Sequence, residues 1–153
     1  MTDTLRFAPD FLAAATGGRL RGAPGGNRVV TDSRGEVSGA LFVALAGPNF
    51  DAHAFVGDVL ARGAAGAVVS RAWADAQAQL PSPLLVVEDP LDALQRLAGA
   101  HRARSRAAVA AITGSNGKTS TKEFLAAALT PLGRVLRTAG NLNNHIEIGR
   151  AHV

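Results

Sequence analysis

Short apolar runs recur along the chain and predict strands. They are rich in β-branched residues and are separated by polar or glycine-containing turns. A later run, AAVAAIT, is apolar throughout, as expected for a parallel strand covered on both faces. The predicted strands are RVVTD at 28–32, LFVAL at 41–45, AGAVVS at 65–70, LLVV within 79–89, AAVAAIT at 107–113 and RVLRTA at 134–139.

Between these runs, apolar residues recur at helical spacing. The pattern predicts helices within 7–18 and over 52–63, each ended by glycine. Asp89 and Pro90 predict the start of a third helix, because an acidic cap and a proline at the first helical position favour one. A fourth helix is predicted over 118–132, with a buried face formed by Leu125, Leu129 and Leu132.

The alternation of strands and helices predicts an α/β fold with a parallel sheet. A proline-punctuated stretch near 82–90 suggests a seam, and we place the domains at 1–88 and 89–146. Only two strands are predicted after the seam, too few for a stable doubly wound sheet. The second domain is therefore expected to be incomplete within this chain.

Composition narrows the class of protein. The 153 residues contain no cysteine, which excludes disulfides, thiol catalysis and thiolate metal sites. No apolar run reaches the roughly 18 residues of a membrane span, and the N-terminus lacks a signal pattern, so we expect a cytoplasmic protein without a membrane partner. The net charge is +4, but scarce aromatic residues argue against nucleic acid as a partner.

The segment AAVAAITGSNGKTSTKEF at 107–124 has the features of a phosphate-binding loop. Two glycines let the backbone approach a phosphate, and the helix that follows presents free N–H groups to it. Lys118 is placed to reach the terminal phosphates of a nucleotide and Thr119 to ligate Mg²⁺. The predicted nucleotide-binding residues are Gly114, Ser115, Asn116, Gly117, Lys118, Thr119 and Ser120, with Lys118 also catalytic.

One departure from the common P-loop pattern matters. Ile112 stands where that pattern has its outer glycine, so the loop is a tighter TGSNGKT. This departure weakens the interpretation as a generic GTPase or an adenylate kinase. The simpler alternative is a glycine-rich turn with a surface lysine. Only two of the sixteen basic residues are lysines, and one of them occupies the phosphate-contacting position, which favours the functional interpretation.

ITGSNGKTSTKE, together with TAGNLNNHI at 138–146, resembles the Mur ligase family, and 31–55 is similar to that family's N-terminal domain. The resemblance implies a small N-terminal α/β substrate domain followed by the start of a P-loop, parallel-sheet ATP-binding domain. It implies an ATP- and Mg²⁺-dependent, amide-forming ligase of peptidoglycan synthesis. That ligase would be a cytoplasmic monomer joining D-alanyl-D-alanine to UDP-N-acetylmuramoyl-tripeptide through an acyl phosphate.

The resemblance also assigns residues outside the phosphate loop. It places Ser33 and Arg34 beside the UDP-sugar. Asp51 and His53 have weaker claims to a substrate role. For His53 the reason is that a histidine before a helix is more often structural than a ligand. The implied residues are Ser33, Arg34, Asn49, Phe50 and Asn143 for the substrate and Asn141 and Asn144 for the nucleotide.

After Ile146 the resemblance ends. The tail EIGRAHV at 147–153 fits no pattern of the family, and its codons can spell the start of a sequencing-library adapter. We therefore expect 147–153 to be non-native. The family's remaining magnesium carboxylates and its amine-binding domain have no counterpart here, so we expect this chain to lack ligase activity by itself.

Three alternatives stay open at this point. A sister Mur ligase that adds another amino acid would share most of these motifs. A non-catalytic nucleotide-binding module would bind ATP without a UDP-linked peptide. A basic nucleic-acid-binding protein would bind DNA with a steep dependence on salt.

Overall fold

The computed structural model describes residues 7–138 and confirms an α/β fold with a mainly parallel sheet. The predicted helices at 7–18, 52–63 and from Pro90 are present, the second beginning as a 3₁₀ turn. The helices are α1 (Pro9–Thr16), α2 (Val56–Ala61), α3 (Arg71–Asp75), α4 (Pro90–Arg104) and α5 (Lys118–Leu129), with 3₁₀ turns at Ala52–Phe55 and Thr130–Leu132. The strands are β1 (Arg19–Arg21), β2 (Val29–Val30), β3 (Leu41–Val43), β4 (Ala46–Gly47), β5 (Phe50–Asp51), β6 (Gly66–Ser70) and β7 (Leu84–Val87).

Five strands form the main sheet, in the order β1-β7-β6-β3-β2. Strands β2, β3, β6 and β7 run parallel, and β1 lies antiparallel to β7 at one edge. Leu41 pairs with Gly66, and Val68 pairs with Leu85. The four parallel strands therefore present their carboxyl ends along one edge of the sheet.

Each face of this sheet buries its own apolar cluster. Leu41 and Val43 contribute to the cluster that contains α1 and α4, whereas Phe42 between them contributes to the cluster that contains α2 and α3. This alternation follows from the two-residue period of strands. The sheet is thus the middle layer of three, which explains why its central strands are apolar on both faces.

Helix α4 packs in the first of these clusters. Ala93, Leu94 and Leu97 are buried there and face α1. The predicted boundary at 88/89 therefore cuts through one packed core. Burial among residues 7–138 ends at Ala98, within α4, so this core continues past residue 88. The division of the chain into domains stays a prediction.

The second half of the described chain differs from the sequence prediction. No strand forms at 107–113 or over 134–138, where Val109 and Leu136 are exposed. Helix α5 forms, but none of its residues is buried. A strand requires a neighbouring backbone to pair with, and no strand within 7–138 lies beside these two segments.

Three elements were not predicted. Strand β1, of sequence RLR, is exposed at a sheet edge and carries no apolar alternation. Hairpin β4–β5 has only two residues in each strand. Helix α3 has five residues and is capped by Ser70, whose Oγ accepts from Trp73 N at 3.3 Å. All three are too short for periodicity to detect.

Candidate functional site

The residues that the resemblance assigns to the substrate follow two adjacent parallel strands. Ser33 and Arg34 come after β2, and Asn49 and Phe50 come after β3. In open α/β sheets, ligands bind beyond the carboxyl ends of the strands. The topology therefore puts both pairs on connections that leave the same edge of the sheet.

The Ser33–Arg34 turn is organised by its own aspartate. Arg34 Nε donates to Asp32 Oδ1 at 2.9 Å and Nη2 donates to Oδ2 at 2.8 Å, while the Arg34 backbone N–H also reaches Oδ1 at 3.0 Å. The side-chain hydrogen bond with Asp32 raises the pKa of Arg34, and the negative charge of Asp32 raises it further. Because a guanidinium has five N–H donors and the Arg34 side chain is 88% exposed, donors are left to meet an anion.

Two arginines that the sequence analysis did not identify donate hydrogen bonds to the backbone carbonyls of this loop. Arg62 Nη1 donates to the Ser33 carbonyl at 2.6 Å, and Nη2 donates to the Gly35 carbonyl at 2.7 Å. Arg28 holds the next stretch of the loop in the same way, through the carbonyls of Glu36 and Ser38. Contacts of side chains with distant backbone carbonyls leave no periodic signal in a sequence, so only the structure reveals them.

The Asn49–Phe50 pair lies on hairpin β4–β5. Asn49 is exposed, and the Phe50 ring is 58% exposed. A Cβ at Gly47 would approach the Phe50 ring to 2.7 Å, so this glycine lets the ring lie across the hairpin. Both predicted side chains are thus available to a ligand.

Asp51 and His53 have structural roles in this fold. His53 is buried, and its Nδ1 lies 2.6 Å from Asp51 Oδ1 while its Nε2 accepts the Ser70 N–H at 2.9 Å. Both ring nitrogens therefore have protein partners. This burial and these contacts agree with a structural role for His53, which stays a prediction.

The phosphate loop joins directly to the N-terminus of α5. Gly117 is the residue before the helix and has φ of 77°, a left-handed conformation that glycine adopts without strain. No side chain caps the helix, so its N-terminus is open to an anion. Residues 113–117 are exposed, as a loop that receives a ligand requires.

The two lysines of the chain differ in what they contact. Lys118 Nζ donates to the Gly114 carbonyl at 2.5 Å and so lies folded across the loop. Lys122 is not the solvated helix residue that its position suggests: its side chain is 16% exposed, and Nζ donates to the Thr138 carbonyl at 2.8 Å. Lys118 is thus the lysine placed at the loop, and Lys122 joins α5 to the segment after it.

The described residues offer little to a metal ion. Among residues 7–138, no group of three or more histidine, aspartate or glutamate side chains could hold one. Thr119 lies in the first turn of α5, where its hydroxyl could be one oxygen ligand. Asn141, Asn143 and Asn144 lie outside the described residues, and their assignment stays a prediction.

Comparison with known families gives a match to the Mur ligase middle domain over residues 112–151. The chain is also similar to proteins called UDP-N-acetylmuramoyl-tripeptide–D-alanyl-D-alanine ligase. The Escherichia coli K12 protein is 46% identical over 120 residues, which cover 78% of this chain and 25% of that protein. The Bacillus subtilis 168 protein is 39% identical over 123 residues, or 77% and 25% of the two chains.

Solved structures of related proteins have the same fold. MurF from Acinetobacter baumannii superposes with a TM-score of 0.86 at 36% identity, over 97% of this chain and 33% of that one. The MurF ligase of Thermotoga maritima, in complex with ADP, gives 0.71 at 31% identity, over 82% and 28%. This chain thus spans about a quarter of the curated relatives and a third of the first of these structures.

Proposed function

Because this chain belongs to the Mur ligase family, we propose that it supplies the UDP-substrate domain and the ATP loop of a peptidoglycan ligase. The ligase joins D-alanyl-D-alanine to UDP-N-acetylmuramoyl-tripeptide, using ATP. The names of the similar proteins support this choice of substrates over those of a sister Mur ligase. The reaction belongs to the cytoplasm, and the protein acts as a monomer without a nucleic-acid or membrane partner.

The observation that carries the proposal is the geometry at the start of α5. A left-handed Gly117, an uncapped twelve-residue helix and a lysine folded over the loop form a cradle for the phosphates of ATP. Among residues 7–138, no helix is long and apolar enough to cross a bilayer.

In this proposal the loop residues act by binding and orienting charge. The backbone N–H groups at the start of α5 receive the phosphates, and Lys118 exchanges the Gly114 carbonyl for a phosphate oxygen. Thr119 is the residue here that would hold Mg²⁺, which neutralises phosphate charge when bound. Since Thr119 would supply a single oxygen, the ion would need further ligands from outside residues 7–138.

The domain before α5 holds the other substrate. Arg34 offers its free N–H donors to the diphosphate, with Ser33 beside it, and Asn49 and Phe50 contact the uridine end. An aromatic face that is 58% exposed suits a base. The tripeptide carboxylate then extends toward the ATP loop, where it is activated as an acyl phosphate.

A chimera tests the proposal. Residues 1–146 replace the matching segment of the Escherichia coli relative, and phosphate release is measured. We expect turnover that needs UDP-N-acetylmuramoyl-tripeptide and D-alanyl-D-alanine together. Lys118→Ala should lower kcat by about 100-fold, as loss of a preorganised charge contact does, whereas Arg106→Ala, an exposed charge outside the loop, should not.

Other results would favour the alternatives. A folded chimera that prefers a UDP-precursor with a shorter peptide would indicate a sister ligase. ATP binding without any turnover would indicate a non-catalytic module.

The origin of the segment 147–153 is a separate question. The family match extends to residue 151, and the foreign origin of the segment stays a prediction that resequencing of the locus tests.

A further inference from the structure

A chain of hydrogen bonds connects hairpin β4–β5 to the end of β6. Asp51 Oδ1 accepts the His53 backbone N–H at 2.9 Å and lies 2.6 Å from His53 Nδ1. On the other side of the ring, the Ser70 backbone N–H donates to Nε2 at 2.9 Å. Asp51 is the last residue of β5, and Ser70 is the last residue of β6.

The directions of these bonds are fixed by their partners. A backbone N–H can only donate, so Nε2 must be the unprotonated nitrogen and Nδ1 must carry the proton that faces Asp51. The arrangement holds one tautomer of His53 and one orientation of its ring. Trp73 stacks on this ring with centroids 5.4 Å apart, which restricts the ring further.

Burial excludes His53 itself from contact with a ligand. Its side chain is 4% exposed, and both of its nitrogens are engaged within the protein. Whatever His53 contributes must act through Asp51, whose side chain is 59% exposed.

The hairpin needs such support because it is small. Its two strands share two residue pairs, Ala46 with Asp51 and Gly47 with Phe50, and it does not join the main sheet. An isolated two-stranded hairpin is marginal in water. Apart from the His53 bonds, a backbone bond from Ala52 N to the Leu45 carbonyl at 2.9 Å closes its base.

We propose that Asp51 and His53 are positioning residues that fix the Asn49–Phe50 turn relative to the carboxyl end of β6, in the orientation that receives the uridine end of the substrate. The identity of the ligand rests on the proposed function, whereas the positioning of the Asn49–Phe50 turn by Asp51 and His53 does not. In this proposal Asp51 and His53 act on affinity by holding the hairpin rather than by touching the nucleotide.

Four variants of residues 1–153 separate positioning from general stability. Asp51→Ala and His53→Asn each break the chain of bonds, the second by losing the acceptor for Ser70. Asp51→Asn keeps an oxygen for the His53 N–H and is the conservative rescue. Leu97→Val weakens the core on the opposite face of the sheet and is the matched control.

The first readout is affinity for UDP-N-acetylmuramoyl-tripeptide, measured by calorimetry at a temperature where every variant is folded. We expect Asp51→Ala and His53→Asn to weaken binding at least tenfold, with Asp51→Asn and Leu97→Val within twofold of the parent. Folded Asp51→Ala and His53→Asn variants that bind within twofold of the parent would overturn the proposal.

The second readout is amide hydrogen exchange, which needs no ligand. Asp51→Ala should speed exchange at Ala52 and Ser70 at least tenfold and leave β3 unchanged. Unchanged exchange at both amides refutes the positioning role. If the parent chain does not bind the nucleotide, the proposed substrate role fails, and exchange alone decides whether Asp51 and His53 fix the hairpin.

Discussion

At the scale of single residues, two arginines of this protein donate hydrogen bonds to its own backbone carbonyls rather than only facing solvent. Arg62 and Arg28 each hold two carbonyls of the loop that carries Ser33 and Arg34. A planar guanidinium can reach two acceptors at once, which a lysine cannot. The arginine-rich composition, which by itself suggests an anionic partner, is thus partly explained by the fold.

Arg62 gives the sharpest test of this role. Arg62→Ala should lower the free energy of unfolding by about 1–2 kcal/mol, because two charge-assisted bonds to backbone are lost, and Arg62→Lys should recover less than half of that. Asp58→Ala is the control, since it removes the exposed ion pair with Arg62, worth about 0.3–0.5 kcal/mol, and keeps the arginine that contacts the two carbonyls. Urea unfolding measures all three. If Arg62→Lys had the same free energy of unfolding as the parent, the two-pronged geometry of the guanidinium would not be the source of the stabilisation.

The charge of Asp51 gives a test in pH. The hydrogen bond from the His53 backbone N–H lowers the pKa of Asp51 below its ordinary 3.8. Burial opposes this effect, and the His53 side chain lowers the pKa further. A lowered folded pKa means that ionised Asp51 stabilises the fold above pH 3.8 and that this contribution disappears as pH falls toward the lowered value.

Urea midpoints of the parent and Asp51→Asn measure this effect. Their difference should be constant between about pH 5 and 7 and should shrink below about pH 4. A difference that instead grows on acidification would contradict the assigned direction.

At the scale of elements, the glycines are of two kinds. At some positions a side chain would clash with a neighbour, and at others there is room for one. Gly99 is exposed within α4, and a Cβ there would meet nothing within 4 Å. Gly66 begins β6, and a Cβ there would lie 2.7 Å from Pro24 Cβ. The same substitution should therefore have opposite signs at the two sites.

Gly99→Ala should raise the free energy of unfolding by about 0.5–1 kcal/mol, since alanine loses less backbone entropy in a helix. Gly66→Ala should lower it by about 1–3 kcal/mol through overpacking against Pro24. Thermal or urea unfolding checks both. A destabilised Gly99→Ala would show that a side chain at position 99 of α4 is not tolerated, against the open space around it.

Elements also show where sequence reasoning succeeds. Helices α1, α2 and α4 and strands β2, β3, β6 and β7 were predictable, because several turns of periodicity or a β-branched run identify each one. The hairpin and α3 were not, because they depend on contacts such as that of His53 with Ser70. The strand at 107–113 was predicted from its continuous apolar run, but a strand also needs a neighbouring strand to pair with, and the run does not supply one.

At the scale of the whole molecule, residues 7–104 contain every buried residue among 7–138. Helix α4 closes one face of the sheet, while α5 buries no residue. A chain that ends at Ser105 should therefore unfold cooperatively, with a urea midpoint like that of the parent. A chain that ends at Glu88 should lose the fold, because it lacks the three core side chains Ala93, Leu94 and Leu97. Circular dichroism with urea checks both, and a stable 1–88 chain would support the boundary predicted from sequence.

In the proposed function, this fold holds a UDP-linked muramoyl peptide beside Arg34. Titration calorimetry of residues 1–153 with UDP-N-acetylmuramoyl-tripeptide tests it most directly, with the muramoyl tripeptide lacking UDP as the reference ligand. We predict one site that requires the UDP group and that Arg34→Ala weakens at least about tenfold, or ~1.4 kcal/mol, with Arg106→Ala unchanged as the charge-matched control. A folded chain that shows no saturable binding, or an affinity that Arg34→Ala leaves intact, would contradict the claim.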